Sequence, residues 1–305
     1  MKYFSKISGT CAGILLVGGL LAQSLHPKTV AWEVNSDSGS RQSSTSEKAS
    51  EQQLHQLARA ITVKILSKEG SGSGILVRRE GQVYTVLTNQ HVLEQASDNY
   101  YRIQTPDGQI YQAKVLNSIN FDGNDLSLLS FHSSRTYLIA SFGDSSNIRV
   151  GDAVFAAGFP FFQERRDQNS GFILTTGQIS MLSDQTFDGG YRIGYNNRIE
   201  KGMSGGPLLN DQGQVIGING LDASPVWGNS YTFSDGSVAS KFLKRQMNQF
   251  SWAIPSQTLW QLGLKFSDHP SRSPFTPLQL SPPQTGNSFP TPPSRERNIW
   301  SGWYR

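Results

Sequence analysis

Residues 201–209 read Lys201-Gly202-Met203-Ser204-Gly205-Gly206-Pro207-Leu208-Leu209. A serine among glycines can sit on a tight turn that side chains would block, with its Oγ exposed. Its own N–H is then free to face a developing oxyanion, which is what a nucleophilic serine requires. Gly202, two residues earlier, is placed to supply a second N–H. Beyond the turn, Pro207-Leu208-Leu209 reads as a short buried strand. A glycine-rich turn between strands is the plain alternative, so the case for chemistry depends on finding a base and an acid elsewhere.

Working outward, short strands dominate. They are expected at Ile61–Leu66, Gly74–Val77, Val83–Thr88, Tyr101–Thr105, Ile110–Val115, Leu126–Phe131, Val154–Gly158, Ile173–Ser180, Tyr191–Tyr195, Pro207–Leu209, Val215–Asn219 and Phe250–Ile254. Leu54–Ala60 reads as a helical turn or two. The strands are rich in β-branched and aromatic residues, with turn signals such as Pro106-Asp107-Gly108 and Asp211-Gln212-Gly213 between them. Many short strands with little helix point to an all-β barrel or sandwich.

A serine hydroxyl needs a base to take its proton. The chain has 5 histidines. His26 and His269 lie in the terminal segments and His55 on the first helical piece. His91 follows the strand Val83–Thr88, where a side chain is well placed to face a cleft. His132 competes but has no comparable motif around it. The imidazole in turn needs a carboxylate to fix its tautomer. Asp125 opens the apolar run Asp125-Leu126-Ser127-Leu128-Leu129, and Asp122 stands three residues before it; the chemistry alone leaves both open.

At these residues the chain resembles the trypsin-like serine proteases of the chymotrypsin fold, and within them the bacterial HtrA/Deg-type protease domain. The resemblance rests on an ordered set of stretches: Gly70-Ser71-Gly72-Ser73-Gly74-Ile75-Leu76-Val77, Leu87-Thr88-Asn89-Gln90-His91-Val92, Asn124–Leu129, Gly143-Asp144-Ser145, Val150-Gly151-Asp152, Ala157-Gly158-Phe159-Pro160, Gly202–Pro207, Val215–Asn219 and Phe250–Pro255. It implies two six-stranded antiparallel β-barrels with the active site between them. It implies His91, Asp125 and Ser204 as base, acid and nucleophile, selecting Asp125 over Asp122, and the N–H groups of Gly202 and Ser204 as the oxyanion hole. Protein or peptide substrates are expected, and no cofactor.

The resemblance also places the base of the specificity pocket near Arg198, with Gly217, Ile218, Asn219 and Gly220 as one wall. A buried arginine there would favour an acidic residue before the scissile bond, because an unpaired buried charge is costly. The alternative is that Arg198 points away or pairs with Glu200 or Asp222. Two departures stand out: Met203 replaces the usual Asn or Asp before the serine, and Lys201 stands where Pro is common, which puts the stability of the loop in question. A PDZ domain is not expected in residues 268–305, which are few and proline-rich. The stretch Leu221–Gln249 reads as an insertion whose Trp227, Tyr231, Phe233 and Phe242 are expected beside the substrate pocket.

The remaining sequence sets boundaries. Residues 1–22 carry Lys2 and Lys6 and then the apolar run Cys11–Ala22, the layout of a secretory signal; an uncleaved anchor is the alternative. Residues 23–52 read as a Ser/Gln-rich linker or pro-segment, 53–267 as the protease domain and 268–305 as a proline-rich tail. Export to the periplasm or cell exterior follows, with membrane contact only if the leader stays attached. The net charge is +4, but residues 53–267 carry only +1 of it, so charge gives no warrant for a nucleic-acid partner. The single cysteine lies in the leader and rules out an internal disulfide framework. The histidines do not cluster, and Gly70–Gly74 lacks the Gly-Lys-Ser/Thr ending of a phosphate loop, so neither a metal site nor a nucleotide site is expected. Two functions remain: an exported serine endopeptidase, or a catalytically silent protein-binding or chaperone-like module on the same fold.

Overall fold

The structure, a computed structural model, describes residues 49–68, 70–94, 100–117, 119–161, 171–223, 231–264 and 266. The leader, nearly all of the linker, the tail and Trp227 lie outside these residues.

The described chain opens with helix α1 (Glu51–Ile61). Its start is fixed by a capping box, in which Ser50 Oγ accepts the Gln53 N–H and Gln53 Oε1 accepts the Ser50 N–H. Leu54, Leu57, Ala58 and Ile61 form its buried face. Strands β1 (Thr62–Leu66), β2 (Ser71–Glu80) and β3 (Val83–Thr88) follow, then a short helix α2 (Gln90–Glu94), then β4 (Tyr101–Gln104), β5 (Ile110–Val115) and β6 (Ser127–His132). These six strands close into an antiparallel barrel in the order β1-β2-β3-β6-β5-β4.

A second closed barrel has the order β10-β11-β12-β9-β8-β7. Its strands are β7 (Ala153–Gly158), β8 (Ile173–Leu182), β9 (Ile193–Tyr195), β10 (Pro207–Leu209), β11 (Val215–Leu221) and β12 (Ser251–Pro255). Helix α3 (Lys241–Met247) precedes β12 and α4 (Gln257–Gln261) follows it. Closure leaves no unpaired sheet edge in either barrel. The fold is thus all-β with two six-stranded antiparallel barrels, as expected.

Period-two alternation explains how the barrels pack. One set of alternate residues fills each barrel: Val63, Leu76, Val86, Leu129 and Phe131 in the first, Val154, Ile193, Tyr195, Leu208 and Ile216 in the second. The opposite set from the same strands, Ile75, Val77, Leu87 and Leu128 against Phe155, Ala157, Leu209 and Val215, joins α1 in a third core between the barrels. Strands that face a core on both sides read as unbroken apolar runs.

Three local expectations are corrected. The glycine run belongs to β2, which begins at Ser71 rather than Gly74. A Cβ on Gly72 would lie 2.4 Å from Val92, and one on Gly74 2.5 Å from Val86, so bare backbone is what lets α2 and β3 close on the strand. In the stretch Leu221–Gln249, Tyr231 and Phe233 do not border a cleft: both are buried, with Phe187 stacked on Phe233 at 5.0 Å and edge-on to Trp252 at 5.0 Å. Phe242 points to solvent, 65% exposed.

Candidate active site

The first barrel presents the candidate base and acid. His91 lies in the first turn of α2, immediately after β3. Asp125 ends the turn that leads into β6. That turn needs left-handed backbone at Asp122 (φ 49) and Gly123 (φ 77). The Asp125 N–H donates to Gly189 O at 2.9 Å and its carbonyl accepts Asn89 Nδ2 at 2.8 Å. Its carboxylate meets His91 twice: Oδ1 accepts the His91 backbone N–H at 2.9 Å, and Oδ2 lies 2.6 Å from Nδ1. A proton held on Nδ1 leaves the Nε2 lone pair free to act as a base.

Tyr191, just before β9, donates its phenol to the same Oδ2. Burial alone would raise the Asp125 carboxyl; hydrogen bonding and charge from His91, with the Tyr191 phenol, outweigh it and hold the carboxyl below its ordinary value of 3.8. Burial, followed by the Asp125 charge, pushes the Tyr191 phenol well above its ordinary value. It therefore remains a donor across the range in which a protein folds. Asp122 instead accepts from its own turn neighbour, Asn120 Nδ2, at 2.8 Å.

Ser204 comes from the loop before β10. Met203 N–H donates to Glu200 O at 2.9 Å, closing a turn with Gly202 at φ 98. A Cβ on Gly202 would lie 2.6 Å from Phe159 O, and one on Gly205 (φ 84) 2.2 Å from both Ser73 O and Thr88 Oγ1. Only glycine fits either position. Met203 is fully buried in the second barrel's core, and its Sδ accepts the Glu200 N–H at 3.4 Å. The unusual residue before the serine thus pins the loop from beneath. Among the described residues, neither the Gly202 nor the Ser204 N–H donates to another backbone carbonyl, so both remain available to a substrate oxygen.

Ser73 in β2 ties this loop to the first barrel. Its N–H donates to Ser204 O at 2.9 Å, and its Oγ donates to Gly202 O at 2.8 Å while accepting the Phe159 N–H at 2.9 Å. Asn219 does similar work from β11: its N–H donates to Gly206 O, its carbonyl accepts the Gly205 N–H, and its Oδ1 accepts the Tyr195 phenol at 2.9 Å. The Ser204 hydroxyl donates to Gly220 O at 2.9 Å, and among the described residues no hydrogen bond joins it to His91. Catalytic hydrogen bonds of this kind commonly form only when substrate is bound.

Of the two placements expected for Arg198, the structure shows the outward one. Arg198 does not sit at a buried base: its side chain is 86% exposed, with Nε 3.7 Å from Glu200 Oε1. Gly217 and Ile218 lie within the sheet, paired with Leu208 and Pro207 on one side and with Pro255 and Ile254 on the other. The Asn219 side chain is committed to internal partners. Of the four wall residues, Gly220 meets the nucleophile. The other described histidines are remote in role: His55 packs edge-on against Phe172 at 5.4 Å, and His132 ends β6 on the exposed surface.

Three contributors were not singled out from sequence: Ser73, Asn89 and Tyr191. The alternation of small residues at Gly72-Ser73-Gly74 is a signal of close backbone approach that points to Ser73. Nothing local distinguishes Tyr191 from any strand aromatic.

Comparison with known proteins agrees with this architecture. The family described as trypsin-like peptidase domain matches residues 72–218. Serine protease Do-like HtrA of Bacillus subtilis (strain 168) is 31% identical over 160 residues, 52% of this chain and 35% of that protein. Periplasmic pH-dependent serine endoprotease DegQ of Escherichia coli (strain K12) is 33% identical over 186 residues, 60% of this chain and 38% of that protein. The chain therefore spans little more than a third of the curated relatives it matches. Among solved structures, an HtrA-type protease AlgW with tripeptide superposes with a TM-score of 0.51 at 21% identity, over 70% of this chain and 62% of that one, a likeness of fold. Residues 72–218 thus match the trypsin-like peptidase domain, and the chain has HtrA/Deg serine proteases among its relatives.

Proposed function

We propose that the protein is an exported serine endopeptidase that cleaves protein or peptide substrates through an acyl-enzyme. The observation that carries this reading is the His91–Asp125 pair: a part-buried carboxylate 2.6 Å from Nδ1 turns the ring so that Nε2 is the free base. As Ser204 Oγ attacks the substrate carbonyl carbon, His91 Nε2 takes its proton. The carbonyl oxygen becomes an oxyanion held by the Gly202 and Ser204 N–H groups. The C–N bond then breaks, and the leaving amine receives the proton from His91. Water adds to the acyl-enzyme by the same route and releases the acid. Asp125 stays ionised throughout and stabilises the imidazolium.

Export is supported by the leader pattern and by periplasmic relatives such as DegQ, and residues 53–267 are the proposed working domain. A preference for acidic substrate residues is not part of the proposal, since Arg198 is exposed and beside Glu200. A second reading, a silent protein-binding module, is favoured by one observation, the Ser204 hydroxyl donating to Gly220 O rather than to His91. Incubation with an unfolded protein such as casein separates the two. The endopeptidase generates new peptide termini with the native sequence and none with Ser204→Ala; the binding module retains casein intact in both cases. The N-terminus of the tested protein is fixed by mass, so that a chain still restrained by residues 23–52 is told apart from a silent module.

A further inference from the structure

We propose that Tyr191 is a positioning residue of the triad, clamping the Asp125 carboxylate from the second barrel, and that residue 220 must be glycine for the clamp to close. The inference rests on the endopeptidase reading and deepens it.

Among the described residues, three donors hold the Asp125 carboxylate: the His91 N–H, the His91 ring and the Tyr191 phenol. Two of the three belong to the residue that the carboxylate is meant to orient. Tyr191 is the donor independent of His91, and it is the one that comes from the other barrel. Without it, both donors to the carboxylate belong to His91, and none comes from the barrel that carries Ser204. With it, Oδ2 is referred to the barrel that carries the nucleophile.

The phenol sits at the junction by construction. Tyr191 is 2% exposed. Its neighbours Gly189 (φ 82) and Gly190 (φ 89) both use left-handed backbone. The Gly189 carbonyl accepts the Asp125 N–H, so one short segment holds both the backbone and the carboxylate of the acid. On its other side the phenol faces Gly220: a Cβ there would lie 2.2 Å from Oη and 2.3 Å from Cε1. Any side chain at 220 must displace the ring. Gly220 O is also the acceptor of the Ser204 hydroxyl. Tyr191 therefore touches the acid directly and backs the residue on which the nucleophile rests. Among the described residues, Tyr195, itself buried, is the other titratable group acting on the phenol.

Tyr191→Phe removes the one hydroxyl and keeps the ring. In a folded variant, checked by thermal unfolding, two readouts are expected to move. The rate of labelling by an activated fluorophosphonate should fall roughly tenfold or more, a fraction of the ~10⁴ lost when the acid itself is replaced. The acid limb of the labelling-rate profile should shift to higher pH, because a carboxylate that has lost a donor binds the imidazolium more tightly. A Tyr191 that only fills space would leave that limb in place, and an unmoved limb overturns the proposal. Gly220→Ala gives a second test, with both readouts expected to move in the same sense as the ring is displaced; native labelling and profile in that variant also overturn it. If the wild-type protein never labels, the endopeptidase reading fails instead. The coupling is then read from the NMR pH titration of the His91 ring in wild type and Tyr191→Phe, where identical curves reject the clamp.

Discussion

The two barrels share a strand count and a closure, yet in the proposed site they take opposite parts. The first contributes side chains: His91 from α2 and Asp125 from the turn before β6. The second contributes mostly backbone: the Gly202 and Ser204 N–H groups, the left-handed turn at Gly205 and the Gly220 carbonyl, with the Ser204 hydroxyl as the chief side-chain exception. Side-chain chemistry is removable by an isosteric change that leaves the shape intact. Backbone chemistry is lost only when the shape changes. Activity and stability should therefore separate in the first barrel and fall together in the second.

Asp125→Asn is the sharpest break in the comparison. It keeps the volume but favours the wrong tautomer of His91, and the fluorophosphonate labelling rate should drop by ~10⁴. Thermal unfolding should move by only a few degrees. A large loss of stability would place Asp125 among the structural residues instead. Acid should act on the same group. Its folded pKa lies below 3.8, so its stabilising contribution is complete above that value and is lost as pH falls through the folded pKa. A plot of unfolding midpoint against pH should turn down below pH 3.8, and Asp125→Asn should flatten that part of the curve.

In the second barrel, Gly205→Ala should cost stability and activity at once. Left-handed strain and overpacking against Ser73 O and Thr88 Oγ1 together amount to at least about 2 kcal/mol. Denaturant unfolding measures it; an alanine variant of native stability would contradict the tight fit of this loop. Ser73→Ala tests the bond between the barrels. It orphans Gly202 O and the Phe159 N–H in a buried site, costing about 1–3 kcal/mol, and should slow labelling through the oxyanion loop. At the small end, Arg198→Ala should change stability by less than about 0.5 kcal/mol and leave the cleavage profile unaltered. A lost preference for acidic residues would restore Arg198 to the pocket.

The same contrast explains what could be read from sequence. All twelve strands stand within a few residues of their expected places, because alternate residues face separate cores and glycines mark the turns. His91 and Ser204 are legible because each carries its own local motif. Asp125 needed the ordered set of motifs to prevail over Asp122; in space, the carboxylate beside His91 is that of Asp125. Tyr191 was invisible, since its role depends on a partner 66 positions away and on the missing side chain at Gly220. At the pocket, resemblance left two placements of Arg198 open, and its exposed side chain beside Glu200 matches the outward one. Tyr231 and Phe233 read as cleft aromatics but fill the space beside Trp252, which no local pattern announces. The helix α3 lies in a basic, weakly apolar stretch, Lys241–Met247, whose helicity is set by the Ser240 cap and the burial of Met247.

In the proposed mechanism Ser204 is a nucleophile activated by His91 and Asp125. Treating the folded protein, with its N-terminus established by mass, with an activated fluorophosphonate and mapping the adduct by peptide mass spectrometry tests it directly. A single adduct is expected on Ser204, lost in Ser204→Ala and nearly lost in Asp125→Asn. A folded protein that takes no label on Ser204, or takes it equally well without Asp125, would contradict it.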